Sequence, residues 1–131
     1  MAKALVLTCI DPRFISVITN HLNKEKDLHQ DYDLFTLAGA ELGVLEKSNW
    51  EETFYDTIDL AIKLHKIKKI ICISHEDCGM YKSVYNKQND TNLGLHQENQ
   101  QKLKMHLNNK YEELSVENYV LTIDKKFIQT S

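Results

Sequence analysis

A chain of 131 residues with a formal net charge of −3, its lysines interleaved with acids, has room for one buried core and offers no basic block for nucleic acid or an anionic membrane. Its first apolar run, residues 4–10, is too short to span a bilayer and lacks the small-residue cleavage site of a signal peptide. Three cysteines, an odd number, argue against a disulfide framework, so the expectation is a single cytoplasmic domain over residues 1–131 with no nucleic-acid or membrane partner.

Residues 4–10 (ALVLTCI) have the length and composition of a buried strand, and Asp11-Pro12 follows directly. Asp accepts from free amides at a helix start and Pro fits the first helical position, so the spacing predicts strand, turn, then a helix over residues 13–23. Its apolar face is Phe14, Val17, Ile18 and Leu22. Residues 33–38 (DLFTLA) predict a second strand, ended by Gly39. A capping signal at residues 48–52 opens a helix in which Trp50, Phe54, Ile58, Ala61, Ile62 and His65 recur at threes and fours. Residues 69–74 (KIICIS) are apolar without alternation, as in a central parallel strand covered on both faces. A short helix over residues 79–87, a polar loop at 88–92, a long helix over 95–114 carrying Leu103, Leu107 and Tyr111, and a last strand at 119–123 complete the pattern. Strands alternating with helices imply an α/β fold: a mostly parallel sheet of four to five strands flanked by helices.

Two segments carry chemistry: Cys9-Ile10-Asp11-Pro12-Arg13 and His75-Glu76-Asp77-Cys78-Gly79. Each sits where an apolar strand stops and a helix is expected to begin, the edge at which open parallel sheets bind ligands. If the two strands are neighbours, Cys9, His75 and Cys78 converge on one metal. Thiolate with imidazole suits zinc, and three protein ligands leave a fourth position open for water. Taken singly, each residue has a plainer reading. A strand cysteine is usually a small apolar residue, and Asp11 before Pro12 makes a good helix cap.

The joint pattern resembles the β-carbonic anhydrases, which pair a Cys-x-Asp-x-Arg segment with a downstream His-x-x-Cys segment. Gly79 also matches, and Leu37-Ala38-Gly39-Ala40 looks like a degraded form of the family's Arg-Asn-Ala-Gly stretch, with Thr36 and Leu37 where Arg and Asn usually stand. The resemblance covers residues 4–80. It implies a β-carbonic anhydrase-like fold, Zn2+ on Cys9, His75 and Cys78, and Asp11 with Arg13 as the catalytic dyad. The implied reaction is reversible hydration of carbon dioxide to bicarbonate and a proton by metal-bound hydroxide. It further implies a short member lacking the N-terminal helical arm, and a homodimer or larger even assembly. The alternatives are a carbon disulfide or carbonyl sulfide hydrolase on the same site and an inactive zinc-binding module. Thiol redox chemistry is disfavoured, since no Cys-x-x-Cys pair is present.

The remaining candidates read as structure. Cys72 is expected in the core, His65 at the edge of a packed helical face, and His21, His29, His96 and His106 in solvent. Glu76 and Asp77 read as acids favoured at a helix start, and Leu103, Leu107 and Tyr111 as packing.

Overall fold

The computed structural model describes residues 2–24, 26 and 28–131. In chain order its elements are β1 (Ala4–Thr8), α1 (Ile15–Lys24), β2 (Tyr32–Thr36), α2 (Glu41–Glu46), α3 (Ser48–His65), β3 (Lys69–His75), α4 (Gly79–Tyr85), α5 (Leu93–Lys110), β4 (Ser115–Leu121) and β5 (Phe127–Gln129). They build a five-stranded sheet of order β2-β1-β3-β4-β5, parallel except for β5, which runs antiparallel to β4. Among the described residues no helix is long and apolar enough to cross a membrane.

Side chains alternate across a strand, so an apolar run without alternation must be covered on both faces. β1 shows this directly. Leu5 and Leu7 pack with Val44, Phe54, Ile58, Leu103 and Leu107 from α2, α3 and α5. Ala4 and Val6 pack on the opposite face with Phe14, Ile18 and Leu22 at the start of and along α1. Cys72 lies in the first of these cores, as expected, and so do Leu103, Leu107 and Tyr111. A large-to-small change such as Phe54→Ala would cost about 3–5 kcal/mol, because Phe54 is fully buried and removing its ring leaves a cavity that cores refill only in part.

Several boundaries depart from expectation. β1 ends at Thr8, so Cys9 and Ile10 belong to the loop rather than the strand; α1 starts two residues late because residues 12–14 form a turn. β2 runs over Tyr32–Thr36, two residues short of the expected end. The helix α2 was not expected at all. Its start needs an unusual backbone: Gly39 at φ +78° and Ala40 at φ +49° turn the chain out of β2. Gly43 lets α2 lie close, since a Cβ there would stand 2.3 Å from the Ala38 carbonyl oxygen. The last strand of the expected pattern is really two. β4 begins four residues early at Ser115, because Glu117 and Asn118 break the apolar run yet are half-buried and buried, and β5 follows as a three-residue hairpin partner.

Of the histidines expected in solvent, His29 and His106 are exposed, but two are not. His21 is half-buried and stacks on Phe127 with ring centroids 3.8 Å apart. His96 is fully buried. α5 reaches it because its buried face continues the Leu103 and Leu107 stripe backward as Gln100, Asn99 and His96, polar side chains at apolar positions.

Candidate metal centre

β1 and β3 are neighbours in parallel register, with Thr8 opposite Ile73. The chain leaves β1 toward β2 on one side and reaches β3 on the other, so their carboxyl ends form the crevice where strand order reverses. Cys9 follows the last residue of β1, His75 is the last residue of β3, and Cys78 precedes α4. The ligating atoms of these three buried side chains all lie within 4.8 Å of one another.

The donor geometry fits a tetrahedral ion. Cys9 Sγ and Cys78 Sγ are 3.9 Å apart. Two thiolates on one zinc, each bonded at about 2.3 Å, stand about 3.8 Å apart at the tetrahedral angle. A disulfide would need about 2.05 Å, and all three cysteines are free. His75 Nδ1 stands 2.6 Å from the Glu76 carbonyl oxygen, which can only accept, so Nδ1 carries the proton and Nε2 keeps its lone pair. That Nε2 is buried without a hydrogen-bond partner among the described residues. An orphaned imidazole nitrogen aimed at two sulfurs is what a metal would satisfy.

The electrostatics of the cluster run the same way. The hydrogen bond from Cys78 pulls the Cys9 thiol down against the effect of burial, with His75 and the Gly39 amide, 3.3 Å from the sulfur, adding to it. Sharing that proton pushes Cys78 up, and burial adds to the rise. Burial works against charge on His75, but the neighbouring Cys9 thiolate, the Glu76 carbonyl and Asp11 outweigh it and raise its pKa.

Asp11 and Arg13 lie beside the cluster. Arg13 donates through Nη2 to Asp11 Oδ2 at 2.7 Å and through Nε to Oδ1 at 3.1 Å, and its backbone amide donates to Oδ1 at 2.9 Å. Asp11 thus organises the turn before α1 and pairs with Arg13, but α1 begins only at Ile15, so Asp11 is not its cap. The Arg13 hydrogen bonds bring the Asp11 carboxyl down to about 2, so it is ionised at neutral pH. Its Oδ2 lies 3.8 Å from His75 Nε2. A cleft of about 300 Å³ opens next to Cys9 and Asp11, with Ile10, Pro12, Ala38 and Met80 as its apolar wall.

Glu76 and Asp77 are not helix-start acids, since α4 begins only at Gly79. Glu76 accepts from the Ile123 amide, and Asp77, with a left-handed backbone at φ +59°, accepts from Arg13 and Lys82. His65 pairs with Asp33 at 2.8 Å at the exposed end of α3. Thr36 is exposed and Leu37 packs at the margin of the core, so neither contributes polar support to the site.

Residues 1–126 match the model of a family described as "Putative carbonic anhydrase". The chain belongs to that family. It is 31% identical over 129 residues to an uncharacterized protein of Rickettsia bellii (strain RML369-C), which covers 94% of this chain and 78% of that protein. A Rickettsia conorii (strain ATCC VR-613 / Malish 7) protein, also uncharacterized, is 36% identical over 83 residues, 62% of this chain and 44% of the relative. Among solved structures, the carbonic anhydrase of Glaciozyma antarctica superposes with a TM-score of 0.65 at 15% identity, over 98% of this chain and 82% of its own. A tetrameric β-carbonic anhydrase of Sordaria macrospora gives 0.58 at 14%, over 98% and 80%. The β-carbonic anhydrase of Aspergillus fumigatus gives 0.56 at 12%, over 98% and 74%. The fold is thus that of the β-carbonic anhydrases.

Sequence reasoning missed a polar group behind the site. Glu41, fully buried at the start of α2, accepts from the Tyr81 hydroxyl at 2.9 Å, and burial raises its pKa. His96 lies next to it and pairs in turn with Asp90, itself buried. An acid in ELGVLE and a His in GLHQENQQ look like surface residues. The one legible signal was the spacing of His96 from the apolar stripe of α5.

Proposed function

We propose that this protein is a zinc enzyme that reversibly hydrates carbon dioxide to bicarbonate and a proton, with Cys9, His75 and Cys78 as ligands and Asp11 and Arg13 as the catalytic dyad. The observation that carries the reading is the buried His75 Nε2, without a hydrogen-bond partner among the described residues, beside two sulfurs at a tetrahedral spacing. Zinc held by two thiolates and an imidazole would keep a fourth position for water and lower that water's pKa from about 15.7 toward about 7.

The protein's own residues supply the rest. Asp11, ionised and held by Arg13 on both oxygens, accepts a hydrogen bond from the attacking water and so aims its lone pair into the cleft. With zinc bound, Arg13 would hold the Asp11 carboxylate back from the ligand cluster, to which it already stands close, Oδ2 lying 3.8 Å from His75 Nε2. The apolar wall formed by Ile10, Pro12, Ala38 and Met80 suits a small molecule without polar hydrogens, such as carbon dioxide. Ile10 is 59% exposed, and a second copy of the chain closing over it fits a homodimer. The free thiols fit a reducing, cytoplasmic compartment.

Metal analysis and a stopped-flow indicator assay test the reading together. We expect about one zinc per chain and hydration that accelerates with pH as the hydroxide form is populated. Stoichiometric zinc with no rate above buffer would defeat the catalytic reading and leave a zinc-binding module.

A further inference from the structure

Behind the ligand loop, a buried imidazole contacts the residue before His75 and, through Asp90, reaches the backbone of Cys78. His96, fully buried on α5, contacts the Asp90 carboxylate through Nε2 at 2.8 Å and the Ser74 hydroxyl through Nδ1. Ser74 immediately precedes His75 on β3. Asp90 reaches the other ligand. Its Oδ2 accepts from the Cys78 amide at 3.1 Å, and its carbonyl accepts from the Asp77 amide at 2.8 Å. The His96 ring is fixed in turn by stacking on Tyr81, with centroids 3.7 Å apart and planes 17° from parallel. Tyr81 is itself held by Glu41.

We propose that Asp90 and His96 are positioning residues of the metal centre: they hold the residue 75–78 loop in its ligating shape, so that Cys78 and His75 are placed before the ion arrives. The inference rests on the metal-centre reading and goes beyond it, since neither residue ligates. The physical case is a matter of cost. Asp77 holds a left-handed backbone and Cys78 an extended one, a sharp turn that no regular hydrogen-bond ladder maintains. Two successive amides of that turn are captured by one residue, Asp90. A carboxylate only accepts, so the His96 N–H at Nε2 donates to it, while Nδ1 pairs with the Ser74 hydroxyl. His96 thereby ties the tip of β3 to the loop beyond it. Partners that orient ligands in this way are typically worth about 10- to 100-fold in metal affinity.

The experiment measures zinc affinity by chelator competition, and separately the urea midpoint of the metal-free protein, in Asp90→Asn and His96→Phe. His96→Phe keeps the stacked ring and removes both hydrogen bonds; His96→Gln, which can restore one, is the rescue variant. Gln100→Ala is the control. Gln100 lies on the same buried helix face but donates to the Tyr119 carbonyl, away from the loop. We expect zinc affinity to fall about 10-fold or more in Asp90→Asn and His96→Phe and to recover in part in His96→Gln. Gln100→Ala should lose stability while binding zinc as the parent does. In cobalt-loaded protein the thiolate charge-transfer band should weaken in the two loop variants alone. Zinc affinities within threefold of the parent in both Asp90→Asn and His96→Phe would overturn the proposal, as would a parent that binds no zinc. A parent that binds zinc without hydrating carbon dioxide would end the catalytic reading and leave this one standing.

Discussion

Arg13 stands between two carboxylates from opposite sides of the crevice: while Nη2 and Nε hold Asp11, Nη1 donates to Asp77 Oδ2 at 3.0 Å and Nη2 also reaches the Asp77 carbonyl at 3.0 Å. One guanidinium thus joins the loop after β1 to the loop after β3. Arginine suits the task because its five donors lie in one rigid fork. Arg13→Lys keeps the charge and loses the fork. We expect it to retain zinc, fold normally, and lose turnover by on the order of 10-fold, since Asp11 then keeps the backbone amide of residue 13 but has a single ammonium in place of the fork. Stability should move by less than about 1 kcal/mol, because the Arg13 side chain is half exposed. Unchanged turnover in the zinc-loaded variant would mean that the fork does not orient Asp11.

The ligands and the dyad should separate cleanly. Cys78→Ser replaces a thiolate with a hydroxyl of far higher pKa, and zinc should be lost on purification. Asp11→Asn leaves the three ligands intact, so zinc content should stay at the parent level while turnover falls by on the order of 10²-fold or more. Zinc content by mass spectrometry beside the hydration assay checks both. Full activity in Asp11→Asn would remove Asp11 from the mechanism.

The parts of this molecule that could be read in the sequence were those with a periodic or local signal. β1, β3 and α3 were legible from apolar runs and a three-four spacing, and the clustering of Cys9, His75 and Cys78 from two motifs at equivalent strand ends. What stayed hidden was polar and buried. His96, Asn99 and Gln100 occupy the inward face of α5 but make the first half of that helix look hydrophilic. Glu41 opens a helix too short to show a period. In each case a tertiary partner, such as Tyr81 for Glu41 or Asp90 for His96, makes burial tolerable, and such partners lie too far along the chain for a pattern to reveal. The end of the chain misled for the same reason, because Glu117 sits mid-strand in β4.

Gly39 couples backbone conformation to the site. Its φ is +78°, a region that favours glycine, and a Cβ there would meet Met80 Cγ at 2.7 Å and Met80 Cβ at 3.0 Å. Its amide donates to Cys9 Sγ. Gly39→Ala should therefore lower stability by about 1–3 kcal/mol through strain and crowding. It should also weaken zinc binding, because Met80 belongs to the helix that follows Cys78. Chemical denaturation of the metal-free protein and a zinc competition titration would register the two effects separately. A variant as stable as the parent would show that the loop relaxes at no cost.

At the opposite edge of the sheet, Glu117 is held by Lys69, by Tyr119 at 2.6 Å and by Lys26 at 2.9 Å. Burial pushes its carboxyl up, but these three hydrogen bonds outweigh burial and bring it from 4.5 down to about 2. A group depressed in the folded state favours folding whenever it is ionised in both states. Its contribution is full above about pH 4.5, where the unfolded carboxyl is also charged, and is lost as pH falls toward 2. The magnitude at neutral pH is on the order of 1–3 kcal/mol, toward the lower end because the lysines are partly solvated. Glu117→Gln removes that contribution. The test is the difference in urea midpoint between parent and variant, measured on metal-free, reduced protein so that loss of metal in acid does not intrude. Other depressed carboxyls, Asp11 among them, titrate in both proteins and cancel. The gap should be largest at pH 6 and close progressively toward pH 3. A gap that stays constant across that range would mean that Glu117 stabilises β4 through packing rather than charge.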